Sequence, residues 1–144
     1  MRATTIGGLA FTAAALAACG GGSDAPRAPV NIEGSSAKAT APAGALTGIA
    51  SADTVGFHGI PYAQAPVGDL RWKAPAPARA WSGSRDATKP AAHCPQENNP
   101  QDANASEDCL YLNVTAPRSV AGTAAKKPVM VWIHGGANAF GASD

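Results

Sequence analysis

The greatest chemical potential in this chain follows one apolar run. Pro128-Val129-Met130-Val131-Trp132-Ile133 leads directly into His134-Gly135-Gly136-Ala137-Asn138-Ala139-Phe140-Gly141. Adjacent glycines let a backbone take φ > 0 and approach a ligand with no Cβ in the way. Backbone N–H groups can then converge on one point. Such donors stabilise an oxyanion developing on a tetrahedral carbon, and loss of one donor in comparable sites costs ~3–4 kcal/mol. A Gly-Gly pair after a strand also suits an ordinary turn, so these residues alone admit both readings. Neither Ser106 nor Ser143 is flanked by glycines at both offsets of Gly-x-Ser-x-Gly within these residues, the arrangement that exposes a nucleophilic serine on a sharp turn. His58 and His93 sit in no catalytic pattern and read as structural or exposed. With no Cys-x-x-Cys or His-x-x-x-His spacing, neither a metal site nor a cofactor is expected.

The elements that must position this loop are strands. Pro128–Ile133 is almost continuously apolar, as in a strand buried on both faces of a sheet, and open α/β sheets place ligands at the C-terminal edges of such strands. Cys109-Leu110-Tyr111-Leu112-Asn113-Val114 alternates, then ends at Pro117. Ala45–Ala50 and Thr54–His58 read as short antiparallel strands with turns at Gly44 and Asp53. Residues 59–108 look irregular and rich in proline, with Trp72 and Trp81 as the few large anchors. No segment carries a helical period.

The beginning of the chain reads as an address. Arg2 precedes an apolar or small stretch from Ile6 to Ala18, within the ~7–15 residues of a secretory core region. Such a stretch spans only about 20 Å of helix, too little to cross a bilayer. Leu16-Ala17-Ala18-Cys19-Gly20 resembles a bacterial lipobox, in which Cys19 becomes the lipidated N-terminus; a plain signal peptide is the alternative. The expected organisation is a signal peptide over residues 1–18, a Gly/Ser/Pro tether over 19–35 and a folded portion over 36–144. The implied location is the periplasm or cell surface, with membrane attachment through Cys19. If Cys19 carries lipid, Cys94 and Cys109 remain, and an oxidising compartment favours a disulfide over two free thiols.

Composition narrows the rest. The chain has 144 residues, 45% apolar but only 6% aromatic, with 16 Gly and 12 Pro. The apolar fraction is mostly small side chains, so the core is expected to be thin. The formal charge is +1 with no basic cluster longer than Lys126-Lys127, which argues against nucleic-acid binding and against a polybasic membrane patch.

Three ordered stretches resemble the type-B carboxylesterase family, the α/β-hydrolase group that also contains the cholinesterases. They are Phe57-His58-Gly59-Ile60-Pro61-Tyr62-Ala63 continuing through Pro66-Val67-Gly68-Asp69-Leu70-Arg71-Trp72, then Ser106-Glu107-Asp108-Cys109-Leu110-Tyr111-Leu112-Asn113-Val114, then Pro128 to Ala137. The resemblance implies an α/β-hydrolase fold and hydrolysis of small-molecule carboxylic esters through an acyl-enzyme. It implies that Gly136 and Ala137 supply oxyanion-hole N–H groups, that His134 supports the loop without being the triad histidine, and that Cys94 and Cys109 form a disulfide. It also implies a packing role for Trp81 and a structural ion pair between Arg71 and Glu107, with surface solvation as the alternative; if the pair is buried, loss of either partner leaves an unpaired charge at a cost of ~3–5 kcal/mol. Thr115 departs from the family signature, which prefers a large apolar residue there. In family order the nucleophile, acid and base follow the oxyanion loop, so these residues are expected to be the N-terminal part of a longer enzyme. Alone they are expected to be inactive and poorly soluble or disordered, with too few strands to close the sheet. A non-catalytic adhesion or binding relative is the alternative.

The stretch between Cys94 and Cys109 contains no aromatic residue. In cholinesterases this loop provides an aromatic face for a quaternary ammonium through cation–π attraction. No choline-ester preference is therefore expected. Comparable rates on a choline ester and a neutral ester of equal size are the predicted outcome, and a much faster choline ester would contradict it.

Overall fold

The structure is a computed structural model that describes residues 29–97, 102–123 and 126–143. The expected signal peptide, Cys19 and the tether through residue 28 lie outside the described residues. Six strands form one sheet: β1 (Asn31–Glu33), β2 (Ser36–Ala41), β3 (Gly44–Ala50), β4 (Thr54–Pro61), β5 (Ser84–Asp86) and β6 (Tyr111–Pro117). The order is β1-β2-β3-β4-β6, with β5 on β3. Every pairing is antiparallel except β3 with β5, which is parallel. The described residues contain two 3-10 turns and no α-helix.

Local sequence explains the hairpins. Pro42-Ala43 turns β2 into β3, with Ala41 opposite Gly44. A Cβ on Gly44 would fall 2.5 Å from Nε1 of Trp81, so glycine is what lets the indole lie across the turn. Trp81 then donates Nε1–H to the Ala45 carbonyl at 2.8 Å and packs against the core, as expected. At the next turn Ser51 Oγ accepts the Thr54 N–H at 3.0 Å, a side chain closing its own bend. Alternation in β2 buries Ala37 and exposes Lys38, which reaches Glu33 at 2.8 Å.

The buried cluster is Ala37, Leu46, Val55, Phe57 and Ala87, and Val55 is its largest fully buried side chain. The thin core expected from composition is thus present in the folded part. It closes because strands approach tightly. A Cβ on Gly48 would strike the Gly56 carbonyl oxygen and the Phe57 ring. Ala87 ties in the centre, its N–H donating to the Thr47 carbonyl at 2.7 Å and its carbonyl accepting the His58 N–H at 2.8 Å. Arg85 lies over the rings of Trp81 and Tyr111, 5.7 and 5.6 Å from their centroids, linking β5 to β6.

Four expectations need correction. Pro128–Ile133 is not a buried strand: Val129 to Ile133 are 77–93% exposed and pair with nothing among the described residues. A strand exists only through partner strands, and those described are already arranged around β3 and β4. Trp72 is no anchor; it is 98% exposed, at a turn where its backbone takes φ 60. Asn31–Glu33 is a strand inside the expected tether, because Gly34 at φ 62 reverses the chain onto β2. Ser84–Asp86 is a strand inside the expected irregular stretch, held by β3 rather than by its own apolar period.

Gly48→Ala is expected to destabilise the protein by about 1–3 kcal/mol through overpacking. Denaturant titration of the variant against wild type checks this.

Candidate functional site

The site begins with an irregularity in the sheet. Along β4 and β6, Phe57 faces Val114 and Ile60 faces Leu112, so His58 and Gly59 together oppose Asn113. This is a β-bulge, and Gly59 takes the left-handed conformation it needs, with φ 62. The slipped register takes the Gly59 N–H off the ladder. Asn113 Oδ1 accepts it at 2.9 Å, while Asn113 Nδ2 donates to the Ser143 carbonyl at 2.8 Å. One side chain thus closes the bulge and holds the far end of the glycine loop.

The loop itself is organised by two carbonyls. The Gly136 carbonyl accepts the Ala139 N–H at 2.9 Å and the Phe140 N–H at 3.2 Å, forming a tight turn. Gly136, Ala137 and Asn138 take φ of 120, 53 and 61. Gly136 must be glycine, since a Cβ there would run into the Phe140 carbonyl, whereas one on Gly135 would meet nothing within 4 Å. Asn tolerates the left-handed region; Ala137 occupies it at a cost of ~1–3 kcal/mol, and such strain clusters at functional sites. The Gly135 carbonyl lies 2.8 Å from His134 Nδ1, a hydrogen bond when that nitrogen carries the proton.

Amide geometry then fixes the donors. In a trans peptide unit the N–H points opposite to the C=O. The Gly135 carbonyl faces the imidazole, so the Gly136 N–H faces away from it. The Gly136 carbonyl faces into the turn, so the Ala137 N–H faces out of it. Among the described residues neither N–H donates to a protein acceptor. The two consecutive N–H groups of Gly136 and Ala137 thus point outward from the turn.

A second clamp acts at Gly141. Gln96 Nε2 donates to its carbonyl at 2.8 Å, and Gln96 Oε1 accepts its N–H at 3.1 Å. Gln96 follows Cys94, which is bonded to Cys109. Neither Gln96 nor Asn113 is singled out by the sequence. A polar residue inside the alternating run of β6 is the only signal Asn113 offers, and Gln96 offers none.

The remaining predicted residues are placed as follows. Arg71 Nη2 and Glu107 Oε1 meet at 2.8 Å, but their side chains are 54% and 44% exposed, so this is a surface pair and not a buried one. His93 Nε2 lies 3.2 Å from Asp102 Oδ2, remote in the chain from the glycine loop. His58 sits on the bulge with Nδ1 buried and unpartnered among the described residues. Tyr111 donates its hydroxyl to Asp108 Oδ1 at 2.9 Å, and partial burial, reinforced by that carboxylate, raises the phenol above its ordinary pKa.

Comparison with known proteins follows the same lines. The family described as the Carboxylesterase family matches residues 35–144. Fumonisin B1 esterase of Sphingopyxis macrogoltabida is 45% identical over 97 residues, covering 65% of this chain and 17% of the relative. Para-nitrobenzyl esterase of Bacillus subtilis is 46% identical over 92 residues, covering 60% of this chain and 18% of the relative. The solved PNB esterase superposes with a TM-score of 0.63 at 44% identity, over 73% of this chain and 21% of that one. A Geobacillus stearothermophilus carboxylesterase gives 0.64 at 40% identity, over 72% of this chain and 20% of that one. These neighbours have the α/β-hydrolase fold, and the sheet described here corresponds to a small part of it. The chain spans less than a fifth of the length of these curated relatives.

Gly136→Ala is expected to lower stability by about 1–3 kcal/mol, because the turn must open to admit the methyl group. Gly135→Ala and Arg71→Ala should each cost less than about 1 kcal/mol, the first for lack of any clash and the second because the pair is solvated. Thermal unfolding of the three variants separates these cases.

Proposed function

The chain belongs to the carboxylesterase family, and we propose that it supplies the oxyanion hole of a serine esterase acting on small-molecule carboxylic esters. The observation that carries this reading is the pair of outward N–H groups on Gly136 and Ala137. A serine on a Gly-x-Ser-x-Gly elbow attacks the ester carbonyl, whose oxygen becomes an oxyanion as the carbon turns tetrahedral. The two N–H groups bind that oxygen more strongly than the neutral carbonyl, which lowers the barrier. Their orientation is set before substrate arrives, so no reorganisation accompanies the step. His134 acts through the Gly135 carbonyl as loop support and moves no proton. The alcohol leaves, and water releases the acyl group in a second tetrahedral step through the same hole. No complete Gly-x-Ser-x-Gly occurs within the 144 residues, and in this reading the nucleophile and its base belong to the part of the relatives' length that this chain does not span. The related esterases carry names for dissimilar esters, fumonisin B1 and para-nitrobenzyl among them, which keeps the substrate assignment at the level of the ester class.

Leu16-Ala17-Ala18-Cys19 supports a second part of the proposal, export followed by lipid anchoring at Cys19. The enzyme then works at a membrane surface outside the cytoplasm, where the Cys94–Cys109 bond is also chemically at home.

Two measurements test these statements. The protein expressed from its complete coding sequence should release p-nitrophenol from p-nitrophenyl butyrate with an acyl-enzyme burst; no hydrolysis of any simple ester would refute the assignment. Cys19→Ser should move that activity from the membrane fraction to the soluble fraction, and an unchanged distribution would refute the anchor.

A further inference from the structure

The geometry points to Gln96 as a positioning residue for the oxyanion loop, held in place by the Cys94–Cys109 disulfide. This inference rests on the esterase reading for its kinetic consequence, but not for its structural one. A primary carboxamide offers one donor and one acceptor in a plane, the complement of the N–H and C=O of a single backbone residue. Gln96 uses both on Gly141, at 2.8 and 3.1 Å. Gly141 is in turn packed on the start of the loop: with φ 118, a Cβ on it would collide with His134 Nδ1 and the Gly135 carbonyl. Fixing Gly141 therefore fixes the two groups that orient the Gly136 N–H. The contacts form one chain, from Cys94 through Gln96 and Gly141 to His134 and Gly135. Gln96 lies two residues from a covalent tether whose other end, Cys109, leads into β6. Asn113, on β6, holds Ser143 two residues beyond Gly141. The loop is thus gripped at neighbouring points from the disulfide loop and from the sheet. No other side chain than Gln or Asn presents this donor and acceptor pair, and Asn is one methylene shorter.

The test uses Gln96→Glu and Gln96→Ala in the complete protein, with a Cys94→Ser/Cys109→Ser variant. Gln96→Glu keeps the size of the side chain but replaces the donor with a carboxylate facing the Gly141 carbonyl. Both Gln96 variants should lower kcat on p-nitrophenyl butyrate by about 10- to 100-fold, the effect of a small misplacement at the reacting centre, with KM little changed. Amide hydrogen exchange should accelerate over residues 134–143 but not over β2 and β3. The cysteine variant should act in the same direction, and its combination with Gln96→Ala should fall short of the product of the separate effects. Wild-type kcat in both Gln96 variants, a fall in kcat without faster loop exchange, or fully multiplicative effects would each overturn the inference. If wild-type protein hydrolyses no ester, the esterase assignment fails by itself, and the exchange rates alone decide whether Gln96 fixes the loop.

Discussion

A trans peptide unit cannot point its N–H and its C=O the same way. The loop after Ile133 is built on that constraint. Among the described residues no protein acceptor takes the Gly136 and Ala137 N–H groups; they are aimed by securing the carbonyls at the other ends of their peptide units. His134 secures one, and the turn to Ala139 and Phe140 secures the other. In the proposed role as an oxyanion receptor the donors stay vacant for the transition state, which indirect aiming allows. The absence of side-chain atoms at Gly136 and Gly141 follows from the same need, because each backbone lies against another where a methyl group would stand.

The sheet serves this loop through an imperfection. Had β4 and β6 kept a regular ladder, the Gly59 N–H would have paired with β6 backbone. The bulge at His58-Gly59 frees it, and Asn113 uses the opening to connect the ladder to Ser143. Tight strand contact at Gly48 and a cluster dominated by small side chains make the underlying sheet thin, so polar ties of this kind carry much of the positioning.

The sequence disclosed those parts whose physics is local. The glycine loop, the hairpin around Asp53 and the alternation in β6 follow from residue type and short spacing, while the packing role of Trp81 followed from family resemblance. The disulfide followed from cysteine parity and from family resemblance. The hidden parts depend on partners distant in the chain. Ser84–Asp86 has no period of its own and is a strand only because Ala45 to Thr47 bind it. Gln96 is one polar residue among many, and its role exists only where the loop folds back over it. The error at Pro128–Ile133 has the same origin: apolar continuity reports what a segment requires, while burial depends on which neighbours are present. Arg71 and Glu107 met as expected, yet their exposure reduces the energetic weight that a buried pair would have had.

The exposed run from Val129 to Ile133 has a consequence for how copies of the chain meet. A short segment of β-branched and aromatic residues without charge or proline is a template for cross-β stacking. Its side chains are 77–93% exposed, so two copies of the described residues can meet along it. Lys126, Lys127 and Pro128 stand immediately ahead of it. Two like charges resist the stacking of identical copies, and a proline at the threshold denies the growing edge one hydrogen bond. The residues preceding the loop are thus of the kind that guards an exposed apolar run against self-association.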